Sequence, residues 1–528
     1  PQGAHMKVLK FGGSSLADGP RIAAAGAIIR EAAQVERIAV VLSAMQGVTD
    51  LLITAARKAA EGSEGGRIAL EQIRARHLAA IRSLFAAPEQ SPVIAALTIM
   101  LNDLEEILHG IELIRECSPR TLDLVTSFGE RLSCTLAAAH LRSGGLDACY
   151  VDTRELIQTD ESFGSALVQF PVSYARIQAR FAALTGTAIL PGFIAAAVSG
   201  VTTTLGRNGS DYTASIIAAG TAAALIEIWT DVDGVLSADP RLVPGAFVVP
   251  EISYEEAMEL SFFGARVLHP YTMLPAVEKG IPIRIRNSLR PAAPGTLIGA
   301  PHHLESGRRA AAAAANGGRA AAAGTAGASG TAGTSGSASA ANGHPITGIA
   351  SIEGISLINI EGGGMLGIPG IAARVFSALA RERINIIMIS QASSEHTISL
   401  VLRSGEAARA ISALEAELAM ELAARRIQAL ERISGLVIVS VIGEKMRGKP
   451  GLAGQLFTAL GAAGVNILAI AQGSAERNIS IVIEETNHAR ALCAIHAAFL
   501  TAPATGAGSG WTDDAADSSG AGAATGGA

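Results

Sequence analysis

Between residues 6 and 300, short apolar-rich runs alternate with stretches in which apolar residues recur every three or four positions. The runs Lys7–Phe11, Arg37–Ser43, Ala148–Asp152, Ala188–Ile194, Leu225–Thr230 and Pro282–Asn287 read as strands. Helical spacing covers Pro20–Ala32, Ile68–Glu116, Ser210–Ala219, Glu255–Phe263 and Tyr271–Glu278. Strands alternating with helices predict an α/β fold with a mostly parallel sheet covered on both faces.

Beyond Ile346 the pattern changes and repeats itself. A shift of 81 residues superposes Gly354 on Gly435, Met365 on Met446, Pro369-Gly370 on Pro450-Gly451, Asn385-Ile386 on Asn466-Ile467, and Gln391 on Gln472. Glu395 falls on Glu476, and Ile398-Ser399 on Ile479-Ser480. Each copy reads strand, glycine-rich turn, amphipathic helix, strand, strand, helix. Two βαββα units of this size are expected to pack together over a shared apolar face, as ligand-sensing or assembly modules.

Composition separates the remaining segments. From Ala310 to Gly343 every residue is Ala, Gly, Ser or Thr except Asn316, Arg319 and Asn342, and the same bias returns after Pro503. Such segments bury too little to offset the entropy of ordering. The expected organisation is therefore an expression remnant (1–5), a catalytic domain (6–300), a flexible linker (301–345), two small modules (346–425 and 426–502) and a disordered tail (503–528).

Mean hydropathy is +0.36, yet the longest apolar stretch, Ala214–Trp229, is interrupted by Gly220 and Glu227 and is too short to span a bilayer. No membrane association is expected. Lys and Arg number 41 against 47 Asp and Glu, with no basic block, so nucleic acid is not an expected partner. Cys117, Cys134, Cys149 and Cys493 form no CxxC pair, which predicts no disulfide scaffold, no metal site and a reducing, cytoplasmic setting. With Pro1–His5 set aside, no signal peptide is expected.

Chemistry concentrates at the predicted strand ends. Lys10-Phe11-Gly12-Gly13-Ser14-Ser15 leaves the first strand and enters a helix. Paired glycines let backbone N–H groups approach phosphate oxygens, and Lys10 could meet a transferring phosphoryl group. The same residues also read as a tight turn capped by Ser14 or Ser15. Neither a GxxxxGK[ST] loop nor the protein-kinase motif set occurs. In Gly206-Arg207-Asn208-Gly209-Ser210-Asp211, Asn-Gly is a turn and Ser210 or Asp211 a helix cap. Arg207 is left over, and its fork suits a small carboxylate. Thr230-Asp231-Val232-Asp233-Gly234 could hold a metal or a ribose hydroxyl, or simply turn. Glu130 reads as a carboxylate beside Gly129, or as the acid at a helix N-terminus. His269-Pro270 reads as a helix start with Pro270 in its first position. Ser43 and Thr49 follow the second strand, where open α/β sheets bind ligands.

Seven collinear motifs together resemble the aspartate kinases: Lys10–Ser15, Leu42-Ser43-Ala44 with Thr49, Phe128–Arg131, Gly206–Tyr212, Trp229–Val235, Asp239-Pro240-Arg241 and Phe263–Pro270. The repeat resembles the two ACT modules that regulate them. Arg207–Tyr212, Tyr254–Leu260 and Gln391–Glu395 resemble most the kinase half of bifunctional aspartate kinase–homoserine dehydrogenases. The resemblance implies an amino-acid-kinase fold followed by two ferredoxin-like ACT modules. It also implies transfer of the ATP γ-phosphoryl to the β-carboxylate of L-aspartate, the first step of lysine, threonine and methionine synthesis, with ectoine a further branch.

By the same resemblance, Lys10, Arg207 and Asp211 would be catalytic. Ser43, Thr49, Glu130, Phe193, Arg207, Ser210 and Asp211 would line the aspartate pocket. Lys10, Gly12, Gly13, Ser14, Thr230, Asp231, Asp239, Arg241 and Arg266 would contact ATP, with Mg²⁺ carried on the nucleotide. Gln391 and Gln472 would bind an allosteric threonine or lysine, and the ACT modules would pair in a homo-oligomer. Arg266 stands where the family usually has lysine, and Leu236 where it has an aromatic residue. The glycines of Gly506–Gly510 follow no strand, so no dinucleotide fingerprint follows and a monofunctional chain is expected. The competing reading is an amino-acid-sensing regulatory protein with a weak or inactive kinase domain.

Overall fold

The computed structural model describes residues 6–263, 270–300, 344–362, 370–391 and 397–500. The expected linker, apart from His344 and Pro345, lies outside these residues. So do the expected tail, Arg266 and His269. Elements are numbered in chain order.

The main sheet has eight strands: β1 Met6–Phe11, β2 Arg37–Leu42, β3 Ala148–Tyr150, β5 Thr187–Pro191, β8 Leu225–Thr230, β9 Glu251–Ile252, β10 Ile283–Asn287 and β11 Thr296–Ile298. Their order is β3-β5-β2-β1-β8-β10-β11-β9. All neighbours run parallel except β10 and β11. The central strands are buried at nearly every position, in keeping with their apolar-rich sequences. One face carries helices α1 Gly19–Val35, α2 Val48–Ala60, α3 Gly65–Leu84, α4 Ala87–Ile114 and α5 Pro119–Ser143 over a single apolar core. The other carries α6 Phe170–Ala183, α7 Gly209–Thr221, α8 Tyr254–Phe262 and α9 Pro270–Glu278. A small sheet of β4 Gln158–Thr159, β6 Ile194–Ala197 and β7 Thr202–Thr204 lies beside them.

Several local expectations are corrected. The helical region Ile68–Glu116 is two helices, because Phe85 (φ −123°, ψ 142°) and Ala86 (φ −62°, ψ 152°) are extended and Pro88 then sits in the first turn of α4, where it needs no helical N–H bond. Ser14 and Ser15 do not cap α1. They form a one-turn helix, Gly13–Leu16, and Asp18 caps α1 by accepting from the Arg21 N–H at 2.9 Å. Glu130 lies in the middle of α5, not at a helix start. Pro270 is the first described residue of α9.

In the C-terminal part the two repeat units share their first strands. β12 Gly348–Glu361 and β15 Ala429–Ile442 pair antiparallel along nearly their whole lengths. The C-terminal half of β12 pairs with β14 Thr397–Arg403, itself beside β13 Ile386–Gln391. The C-terminal half of β15 pairs with β17 Asn478–Glu484, itself beside β16 Ala469–Ala471. The register breaks between Ile352 and Leu357, where Gly354 (φ +66°) and Gly435 (φ +73°) supply one bulge residue on each strand. These are the glycines that the 81-residue shift superposes. Helices α10 Ile371–Arg381 and α11 Ala407–Glu417, with the short α12 Ala419–Ala423, cover the first unit. Helices α13 Leu452–Ala462 and α14 His488–Phe499 cover the second.

The two parts of the chain are docked. Ser237 accepts from the Ile349 N–H at 2.8 Å, and its hydroxyl lies 3.1 Å from His496 Nε2. Glu256 Oε1 accepts from the Thr347 hydroxyl at 2.5 Å and the Glu444 N–H at 2.8 Å, while its Oε2 closes the α8 capping box on Ser253 N. Asn478 Nδ2 donates to Glu259 Oε2 at 2.5 Å.

Candidate active site

The strand order reverses between β1 and β8, and the carboxyl ends of these strands open the crevice where such sheets bind ligands. Lys10 is the penultimate residue of β1, 8% exposed, with Nζ 2.6 Å from Asp211 Oδ1. Asp211 is the third residue of α7. Asn208 occupies the cap position in the left-handed region (φ +54°) and makes no side-chain capping bond. Ser210 and Asp211 therefore are not the cap. Their side chains are left for the crevice, at the positive end of a thirteen-residue helix.

Glu130 reaches the same crevice from the middle of α5, 4% exposed. Burial pushes its carboxyl up to about 8, against the Ala44 N–H and the Lys10 charge, which pull it down. Its Oε2 is buried without a hydrogen-bond partner. The neighbouring Gly129 lets the loop after β2 lie directly on α5: a Cβ there would stand 2.8 Å from the Ala44 Cβ. That approach brings Ser43 and Thr49 beside Glu130. Ser43 is fixed by its N–H to the Phe11 carbonyl (3.1 Å) and by its own carbonyl, which accepts from Ser133 Oγ (2.6 Å). Phe193 sits at φ +67°, its N–H donating to Thr213 Oγ1 at 3.0 Å, so its ring lies over the first turn of α7. Arg207 stands exposed at the rim between Gly206 and Asn208, both in the left-handed region, and has no ion-pair partner among the described residues.

On the opposite side, Gly12 donates to the Trp229 carbonyl at 3.1 Å, and the Ser15 and Ser288 hydroxyls share a 2.7 Å bond. The ends of β1, β8 and β10 are thereby joined, which sets Gly12 beside the end of β8 that leads into Thr230 and Asp231. The Thr230 hydroxyl donates to Asp231 Oδ1 at 3.1 Å. Asp233 is held by Asn287 Nδ2 at 2.8 Å and paired with Arg290. Asp239 and Arg241 bind each other instead (2.6 Å), on a loop whose Ala238 and Val243 enter the apolar core of the second repeat unit. No described contact joins them to Lys10 or Thr230. The sequence reading missed Asn287, Ser288 and Arg290. The adjacency of β10 and β8 was the only signal for them, and it is not local in sequence.

Of the two repeat glutamines, Gln472 lines a cleft of about 340 Å³ with Met446, Gly448, Lys449, Pro450 and Glu476. Glu476 Oε2, also on its lining, accepts from the Gly448 N–H at 2.6 Å. Gln391 is exposed at the end of β13.

Residues 5–287 match the amino acid kinase family, and residues 358–418 and 439–499 match the ACT domain. The chain is 35% identical over 507 residues to the chloroplastic bifunctional aspartokinase/homoserine dehydrogenase 1 of Arabidopsis thaliana, covering 96% of this chain and 52% of that protein. It thus spans about half the length of the bifunctional relatives it matches. It is 32% identical over 503 residues to the aspartokinase of Schizosaccharomyces pombe, covering 93% of this chain and 92% of that one. Among solved structures, E. coli aspartokinase III in complex with aspartate and ADP superposes with a TM-score of 0.69 at 29% identity, covering 93% of this chain and 99% of that one. Its complex with lysine and aspartate superposes equally, at 0.69 and 28%, covering 94% and 100%. The chain belongs to the amino acid kinase family, in its aspartokinase branch, with two ACT domains behind the kinase domain.

Proposed function

We propose that the chain is an aspartate kinase, catalysing ATP + L-aspartate → 4-phospho-L-aspartate + ADP under allosteric control through its ACT domains. The observation that carries this is the buried Lys10–Asp211 pair at the sheet's switch point, with Glu130 and Arg207 on either side. Aspartate offers two carboxylates and one ammonium group. Arg207 suits a carboxylate through its fork, and Glu130, the buried acid with a vacant acceptor oxygen, suits the ammonium.

The attacking group needs no general base, since a carboxylate of pKa about 3.9 is already ionised at neutral pH. The β-carboxylate oxygen forms a bond to the γ-phosphorus as the bond to the bridging oxygen breaks, and ADP departs with that electron pair. Asp211 holds the Lys10 ammonium in place. The remaining Lys10 N–H groups face the transferring phosphoryl and offset its charge. Among the described residues no three His, Cys, Asp or Glu side chains gather as a cage for a metal. Mg²⁺ carried on the nucleotide phosphates as part of the substrate would neutralise charge there.

The Gln472 cleft supports an amino-acid effector site. The lysine complex of aspartokinase III makes lysine a first candidate beside threonine. A homo-oligomer through the ACT domains and a cytoplasmic setting complete the proposal. Four free thiols suit a reducing compartment. A hydroxamate assay with ATP, Mg²⁺ and L-aspartate should yield product, and Lys10→Ala should lower turnover by about 10³-fold or more. Turnover of glutamate but not aspartate would sink the assignment. Tight amino-acid binding without turnover would favour the sensor reading.

A further inference from the structure

Asp123 lies seven residues before Glu130 on α5. Seven residues are close to two turns, so both carboxylates leave the same face of one helix. Glu130 enters the substrate crevice. Asp123, only 3% exposed, grips a different segment. Its Oδ2 accepts from the Gly164 N–H at 3.0 Å and the Thr204 N–H at 2.9 Å, and its Oδ1 from the Thr204 hydroxyl at 2.9 Å. The two segments it grips are also joined to each other, Ala166 N–H to the Thr204 carbonyl at 2.9 Å.

Thr204 ends β7, and the chain then runs straight into Gly206 and Arg207. Gly206 (φ +78°) leans on the gripped loop: a Cβ there would lie 3.4 Å from both the Gly164 carbonyl oxygen and the Ser165 Cβ. Arg207 is therefore seated on a loop and a strand end that both hang from Asp123. A buried carboxylate satisfied by three donors is costly to desolvate, and charge-assisted bonds hold geometry more firmly than neutral ones. Here two of the donors are backbone N–H groups of segments flanking the rim of the crevice.

From this geometry we infer that Asp123 is a positioning residue for substrate binding: it fixes Arg207 at a set distance from Glu130, with α5 as the common support. The inference rests on the kinase reading of the crevice. Asp123→Asn removes the charge and puts an N–H₂ group where donors now point. It should raise the KM for L-aspartate about tenfold or more, since displacements of an ångström carry such costs, with the KM for ATP changed less than about twofold. Thr204→Val, which loses one of the three donors, should raise the aspartate KM by a smaller factor, and Thr204→Ser should restore it. Amide exchange at residues 164–166 and 204–207 should accelerate in Asp123→Asn, while that of β1 stays unchanged.

Equal rises in both KM values, an unchanged aspartate KM, or failure of Thr204→Ser to restore it would overturn the inference. If Asp123→Asn does not fold, the Thr204 pair decides the matter. If the wild-type chain turns over no aspartate, the kinase reading falls by itself. Asp123 is then judged on exchange alone, and unaltered exchange at residues 164–166 and 204–207 overturns it.

Discussion

Glu130 makes the binding of aspartate pH-dependent in a calculable way. In the empty crevice its carboxyl titrates near 8 against an ordinary 4.5, because burial penalises the charged form more than the Ala44 N–H and Lys10 favour it. An ammonium group docked beside it favours ionisation, so binding below pH 8 must release the proton. The aspartate KM should then rise as pH falls, by about tenfold at pH 7 and about a hundredfold at pH 6 relative to its value above 8. The assay is ADP release at saturating ATP, with aspartate titrated between pH 6 and 9. Calorimetry in buffers of different ionisation enthalpy should count close to one proton released at pH 7. In Glu130→Gln the pH dependence should vanish and binding be weak throughout. Stability supplies a second reading with a fixed sign. A folded-state pKa raised above the unfolded value gives stability that is full below 4.5 and lost as pH climbs to 8. The ligand-free protein therefore gives up as much as about 5 kcal/mol over that range, the 3.5-unit difference at 1.36 kcal/mol per unit. Glu130→Gln should accordingly raise the Tm at pH 8. A flat aspartate KM from pH 6 to 9, or a slope that survives in Glu130→Gln, would refute the reasoning.

Three further outcomes follow from named contacts. His77 is fully buried in α3, its Nδ1 2.8 Å from the Ile73 carbonyl and its pKa lowered by desolvation to about 4. Its contribution is therefore present above 6.5 and lost as pH falls toward 4, at most about 3 kcal/mol, so His77→Leu should flatten the acid limb of a stability–pH profile measured by urea unfolding. Gly129→Ala places a Cβ 2.8 Å from the Ala44 Cβ and should cost about 1–3 kcal/mol in denaturant melts, with a weaker grip on aspartate as the Ser43–Thr49 loop is pushed away. Glu256→Ala leaves the Thr347 hydroxyl and Glu444 N–H without their acceptor. It should split the thermal transition into kinase and ACT components in calorimetry and weaken any effector response while kinase activity without effector persists; a single unshifted transition would count against this docking point.

The parts legible in the sequence are those whose burial is apolar. β1, β2, β8 and β10 showed as short apolar-rich segments, and their observed limits lie within a residue or two of the reading. Helix α5 did not show, for a physical reason. Asp123, Thr126, Ser127, Glu130 and Ser133 are all buried alongside Val125, Phe128 and Leu132, so no apolar stripe with a 3.6-residue period exists to be read. The helix that carries the site's acid is thus hidden by the same polar residues that make it functional. Asn208-Gly209 was legible as a turn because its chemistry is local. The cap was misassigned because the first-turn side chains of α7 are spent on the crevice. In the ACT region the 81-residue repeat located both bulge glycines. The sharing of β12 and β15 between the units depends on long-range pairing, which no local pattern encodes.

The buried carboxylates of the kinase domain show how surroundings divide one functional group among different roles. Glu227 faces Lys7 at 3.5 Å and Arg286 at 3.8 Å, so it is balanced by cations within the fold. Asp123 is satisfied by three hydrogen-bond donors and Glu256 by donors from both sides of the domain junction, so each ties segments together. Asp211 faces a single mobile-headed cation, Lys10, which has N–H groups to spare for a phosphate. Burial raises the carboxyls of both Asp123 and Glu130, but both oxygens of Asp123 accept hydrogen bonds whereas Glu130 Oε2 is left without a donor. An acid in that condition gains most from a cation that arrives and leaves, whereas the others are already satisfied without substrate. The assignment of substrate contact to Glu130 and of structural restraint to Asp123 on the same helix face follows from that difference, not from their shared chemistry.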